Sequence, residues 1–157
     1  MFQSSVMEYI DFVLSIASSL YSLCEEVKAN KKRCQRLAQR VKALEELLLA
    51  IKQKGTGQLS ADVKRVLREL KITLDSATEV VKKYTTDSFL KRITKAYDHG
   101  DEFGSLNDRL NDAFQVLSLA LQVDHSHKLH KLFEVTSRRA EDEADRNEDH
   151  AELQKSE

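Results

Sequence analysis

The sequence predicts an all-α fold: an up-and-down four-helix bundle with a short extra helix between its third and fourth helices and a further helix appended at the C-terminus. Three observations carry this. The 157 residues contain no Pro, no Trp and only four Gly, and they are rich in Ala, Leu, Glu, Lys, Gln and Arg, the side chains that lose least on entering a helix. Apolar residues recur in steps of three and four through most of the chain, the spacing of a helix that buries one stripe. Cap and stop residues divide that periodic pattern into segments of bundle length.

The first stripe is Val6, Ile10, Val13, Ala17, Leu20, Cys24 and Val27, predicting a helix from Val6 to about Val27. A second stripe, Cys34, Leu37, Val41, Leu44, Leu48 and Ile51, continues in the same phase. One helix over residues 5–53 would be about 75 Å long, more than a domain of this size covers. The turn therefore falls at Asn30, the only good cap or stop residue in the region. Lys52-Gln53-Lys54-Gly55 ends helix two, and Ser60 caps a third helix with the stripe Val63, Leu67, Leu70, Leu74, Ala77, Val81 and Tyr84.

Asp87 opens the short extra helix, with Phe89, Ile93, Ala96 and Tyr97 on one side, and residues 98–104 break it. Ser105 followed by Asp108 resembles a capping box and starts the fourth helix. Between Phe114 and Val123 the polar residues Gln115, Ser118 and Gln122 share one narrow stripe, so this helix is expected to be covered on most sides. Leu129, Leu132, Phe133 and Val135 fit a further helix, and residues 141–157, with eight acids and two bases, are either disordered or a solvated helix leaning on something else.

The charge divides with the fold. Residues 1–123 hold 19 bases and 16 acids, net +3, and residues 124–157 hold 6 bases and 10 acids, net −4. This predicts a bundle domain over 1–123 followed by a linker and acidic helix over 124–157, with the acidic segment folding back over the bundle and restraining it until a signal releases it. The apolar run from Tyr9 to Leu23 contains Asp11 and several serines and is shorter than the roughly 20 residues that span a bilayer. Without the basic start and cleavage site of a secretory signal, the chain is expected in the cytoplasm. On one continuous helix Cys24 and Cys34 would stand about 15 Å apart, too far for a disulfide, so both are expected as reduced thiols, Cys34 as a small core residue.

Little points to catalysis. Asp101-Glu102-Phe103-Gly104 has a faint likeness to a kinase Asp-Phe-Gly motif, but no phosphate loop or catalytic loop accompanies it, and it is expected to be a loop. His125, His127 and His130 are the densest group of metal-ligand types, yet neither cysteine is near them in sequence, and no metal or cofactor is expected. No base, nucleophile and pocket assemble, so the chain is not expected to be an enzyme.

The concentrated feature is the run 28–42, which contains Lys28, Lys31, Lys32, Arg33, Arg36, Arg40 and Lys42 and no acid. Lys28, Lys32, Arg36 and Arg40 recur every fourth residue and line one outward face. Such runs are ordinarily solvated, but exposed helices usually place compensating acids three or four residues away, and residues 28–42 contain none. A solvated face and a surface for anionic partners are the two readings. Anionic lipid contributes about 1 kcal/mol per nearby Lys or Arg, enough across such a face for reversible recruitment. Nucleic acid is not expected, because no stacking aromatics, helix-turn-helix or zinc-finger spacing accompany the run.

Cys24-Glu25-Glu26-Val27-Lys28 and Lys31-Lys32-Arg33-Cys34-Gln35-Arg36-Leu37 with Arg40-Val41 resemble the junction of the first two helices in the mixed lineage kinase domain-like pseudokinases. Leu106-Asn107-Asp108-Arg109-Leu110-Asn111-Asp112 and residues 116–123 resemble that family's fourth helix, and the acidic Glu141 to Gln154 is similar to its first brace helix. The resemblance spans most of the chain, the middle being matched by helix pattern more than by residues. It implies the executioner module of necroptosis: a non-catalytic four-helix bundle that binds phosphoinositide and cardiolipin headgroups through basic residues, forms homo-oligomers, moves from the cytoplasm to the plasma membrane and permeabilises it. It further implies an upstream receptor-interacting kinase acting through a pseudokinase domain that is absent from these residues. By position, Lys28, Lys31, Lys32, Arg36 and Arg40 match basic sites of the family, and Arg33 lies among them. The family often places bases just before Cys-Glu-Glu, where this chain has Tyr21, Ser22 and Leu23, so helix two has to supply more of the headgroup binding. The competing expectation is a helical adaptor of the same fold that binds an acidic protein partner without touching lipid.

Overall fold

A computed structural model describes residues 2–54, 61–85, 102–121 and 135–155. Every element among them is an α-helix: α1 Phe2–Cys24, α2 Lys31–Lys54, α3 Ala61–Lys83, α4 Glu102–Leu121 and α5 Val135–Lys155. The short helix expected from Asp87 to Tyr97, the three histidines between 125 and 130, and the apolar residues 129–133 lie outside the described residues.

Around the bundle the helices follow the order α1, α2, α4, α3. Helix α1 packs on α2 and α3, α4 packs on the same two, and α2 and α3 lie across a diagonal. The chain alternates direction, because the turn after α1 is tied to the end of α3 by the Lys28 N–H donating to the Tyr84 carbonyl at 2.8 Å. At the same end the Tyr84 ring stacks on Phe103, in the first turn of α4, with centroids 5.9 Å apart.

The stripes read from the sequence are the core. Ile10, Val13, Ala17, Leu20 and Cys24 of α1, all six predicted positions of α2 and all seven of the α3 segment are buried. Burying such a stripe is what fixes each helix against the bundle, since removing apolar surface from water is the main favourable contribution to folding. The break at Asn30 is also where the structure has it, and Asn30 takes a left-handed backbone with φ of 55°, a conformation asparagine tolerates better than most non-glycine residues.

Three local expectations are corrected. Helix α1 ends at Cys24 rather than at Val27, which is nevertheless buried in the turn. Helix α4 begins at Glu102 instead of at the Ser105 capping box, and Glu102, Phe103 and Gly104 are helical rather than loop. Burial of Phe103 in the core draws the chain into helix one turn earlier than the capping signal. The later part of α4 is less covered than expected, with Leu119 77% exposed, because only one side of it meets α2 and α3.

Candidate functional site: the basic face of α2

Helix α5 lies along α2 and runs antiparallel to it, Asp149 near the start of α2 and Asp142 beside Arg40, about two turns further on. At the start of α2 both oxygens of the Asp149 carboxylate accept backbone hydrogen bonds, from Lys32 N at 3.0 Å and Arg33 N at 3.1 Å. The first amides of a helix have no partner within it. They are normally capped by the side chain just before the helix, but here the cap comes from a residue 117 positions away. Asn30 instead supplies its carbonyl to Cys34 N at 2.9 Å and its side-chain oxygen to the Arg33 guanidinium.

Arg33 also donates Nε to Asp149 at 3.2 Å and lies over the Phe103 ring, 4.9 Å from its centroid. One turn on, Arg36 donates Nε to Asp145 at 3.0 Å and approaches Glu141 at 3.1 Å. The hydrogen bond to Asp145 holds the Arg36 guanidinium above its ordinary pKa, with the nearby acids adding to it and burial opposing it. Another turn on, Arg40 meets Asp142 at 2.7 Å and Glu141 at 3.9 Å, and Asp142 also accepts from Asn107 of α4 at 3.4 Å.

The acids at 141, 142, 145 and 149 therefore mirror the bases at 40, 36 and 33 in an antiparallel zipper. Among the described side chains of α5 the buried ones are Asp145 and Asp149, and no apolar residue of that set is buried. The contact is thus electrostatic. Pairs that stay partly wet are worth roughly 0.2–1 kcal/mol each, and enclosing a charge costs desolvation that its partner must offset.

Placement of the predicted residues divides in two. Lys28, Lys31 and Lys32 are exposed, and the Lys32 ammonium pairs with the exposed Glu148 at 3.8 Å. Arg33, Arg36 and Arg40 do not line an open face: their side chains are 15%, 27% and 0% exposed. The expectation that Arg36 and Arg40 face outward is corrected on this point, since helical spacing gives the angle of a side chain but not what stands beyond it. That the acidic segment folds back onto the bundle is what the structure has. Sequence reasoning missed the individual acids, although the four-residue interval from Glu141 to Asp145 to Asp149, repeating that of Arg40, Arg36 and Lys32, was a usable signal.

Among the described residues there is no group of His, Cys, Asp and Glu able to hold a metal ion, and no helix is long and apolar enough to cross a membrane. A groove of about 410 Å³ between α2, α4 and α5 is lined by Arg33, Phe103, Asn107, Arg139, Asp142 and Arg146 among others, and it borders the ion-pair zipper rather than forming a separate centre.

Comparison with known proteins places this arrangement. The chain is 27% identical over 143 residues to the mouse mixed lineage kinase domain-like protein, covering 91% of this chain and 30% of that protein. Against the human protein of the same name it is 27% identical over 144 residues, covering 91% and 31%. The chain thus spans about a third of the length of these relatives. Residues 10–151, which take in most of α1, the whole of α2, α3 and α4 and most of α5, match the Mixed lineage kinase domain-like N-terminal domain, and the chain belongs to that family.

Proposed function

We propose that this chain is the membrane-permeabilising executioner domain of necroptotic cell death, and that α5 occupies the surface through which it would engage anionic lipid. The single observation behind this reading is the zipper itself: a row of arginines held by carboxylates of the same chain, with Lys28, Lys31 and Lys32 left exposed at one end. A phosphoinositide or cardiolipin headgroup offers the same anionic oxygens as Asp145 and Asp149, with more charge. The exposed lysines make first contact, and headgroups then replace the acids of α5 on Arg33, Arg36 and the first amides of α2, where the helix dipole favours an anion. Homo-oligomers form on the membrane once α5 has left. The domain acts without catalysis. In the full-length protein, an upstream receptor-interacting kinase would act through the portion that these residues do not span, and the protein would move from cytoplasm to plasma membrane.

Vesicles containing phosphoinositide test this. The triple variant Asp142→Asn, Asp145→Asn, Asp149→Asn is expected to bind them at least several-fold more tightly than the natural chain, and Lys31→Glu, Lys32→Glu, Arg36→Glu to lose dye release. Unchanged release in the charge-reversed chain rejects the reading. A second reading has one observation in its favour: the occupant of the basic face is itself an acidic helix, as an acidic protein partner would be. An adaptor of that kind would bind an acidic helical peptide in solution while leaving anionic vesicles intact.

A further inference from the structure

Cys24 ends α1 and Cys34 stands in the first turn of α2, on either side of the turn that holds Asn30. The distance that a continuous helix would put between them does not apply, because the chain reverses there. Both thiols are free and buried, and they face each other across the α1–α2 seam with a hydrogen bond between the side chains. The reversal removes the separation that a continuous helix would impose, and the non-helical residues 25–30 are placed to absorb the backbone shift that a disulfide's geometry requires.

The two surroundings differ. Cys34 is fully enclosed by the core. Cys24 is nearly so, but it forms part of the wall of a surface cleft of about 430 Å³, together with Tyr21, Glu25, Lys31 and Gln35. The shared hydrogen bond holds the Cys24 thiol below its ordinary pKa, with burial and Glu25 opposing it, while the same bond and then burial push Cys34 up. One thiol is therefore the better nucleophile and the one nearer to solvent, and the other is a protonated neighbour held against it.

We propose that Cys24 and Cys34 are an oxidisable pair, which a peroxide converts to an intrachain disulfide pinning the end of α1 to the first turn of α2. The Cys24 thiolate attacks one peroxide oxygen. An S–O bond forms, the O–O bond breaks, and the other oxygen leaves as water after taking up a proton, so that Cys24 becomes a sulfenic acid. The Cys34 sulfur then attacks the sulfenic sulfur, the S–S bond forms, and the hydroxyl leaves as water with the Cys34 proton. Two thiols and one hydrogen peroxide yield one disulfide and two waters, the sulfurs being oxidised and the peroxide reduced. The bond closes the turn at the end of the bundle where Lys28 is tied to Tyr84 and Asp149 caps α2, and it makes that end covalent.

Oxidation of the whole reduced chain with hydrogen peroxide is the test. The expected product is a monomer that has lost the mass of two hydrogen atoms, with one peptide pair joined through Cys24 and Cys34. Its thermal midpoint should stand higher by about 5 °C and return to the starting value with dithiothreitol. In the Cys34→Ala variant, a sulfenic-acid trap should label Cys24; in Cys24→Ala, Cys34 should stay unlabelled. Three results overturn the proposal: disulfide-linked dimers in place of the intrachain bond, oxygen addition at either cysteine without a cross-link, or thiols untouched at a peroxide dose that oxidises the urea-unfolded chain. If either variant fails to fold, the mass and peptide map of the natural chain decide alone.

Discussion

The two long sides of α2 are held by different forces. Toward the bundle, Cys34, Leu37, Val41, Leu44, Leu48 and Ile51 are all buried to 2% exposure or less, and nothing in that seam depends on charge. Toward α5, Arg33, Arg36 and Arg40 meet carboxylates, with no buried apolar residue among the described side chains of α5. Burial is insensitive to salt and to anionic competitors, whereas ion pairs answer to both. In the proposed function one helix thus carries a permanent seam and a replaceable one, the division needed by a domain that keeps its fold while changing what covers it.

The comparison breaks most visibly on the permanent side. Leu44→Ala should cost about 2–5 kcal/mol, read as a lower urea midpoint of the whole bundle. On the replaceable side, Asp149→Ala removes the cap from two amides and a partner from Arg33, and should cost about 2 kcal/mol. Hydrogen exchange should then rise in α5 and the first turn of α2 while the α3 amides stay protected. A uniform rise across all helices would mean that the two seams are not separable.

Tyr84 sharpens the contrast at the end where the seams meet. Burial is the first cause that pushes its hydroxyl up to about 12 from an ordinary value of 10.0, and the Glu102 charge adds to it. The fold therefore keeps the phenol protonated where the unfolded chain would lose the proton. Its contribution is fully present below pH 10.0 and is lost as pH rises through about 12. The natural chain should lose more stability than Tyr84→Phe over that window, and parallel pH profiles would contradict the burial of the hydroxyl. At about 1 M ionic strength, where screening acts within about 3 Å, exchange protection of α5 should fall by more than that of α4. The smallest effect is expected from Lys32→Ala, whose exposed pair with Glu148 should be worth under about 0.5 kcal/mol.

The sequence made the permanent seam legible and left the replaceable one half-read. All six positions that periodicity picked on α2 are buried, with Ala38, Ala43 and Leu47 buried beside them, and Asn30 marked a turn that periodicity alone would have missed, because those signals are local and physical at the scale of one helix. Arg40 shows the limit. Its angle on the helix was readable, but its complete burial depends on α5, more than 100 residues later, and on Asn107 of α4 helping to hold Asp142. Cys24 and Cys34 show the same limit from the other side, since a contact across a chain reversal is invisible to a rule that counts rise per residue. The early start of α4 at Glu102 likewise came from the packing of Phe103 on Tyr84 and under Arg33, and no capping signal announced it.

The cap that Asp149 places on α2 from the far end of the chain has a practical consequence. The Lys32 and Arg33 amide protons each point at a carboxylate oxygen of α5, so their NMR resonances are built-in reporters on whether that helix is in place. With α5 docked, both should lie downfield, as amides bonded to a carboxylate do. As it leaves they should shift upfield together, while the amide of Cys34, bonded to the Asn30 carbonyl within its own turn, serves as the internal reference. Two adjacent peaks would follow the opening of the domain in real time, on vesicles or off them, without a label anywhere on the protein.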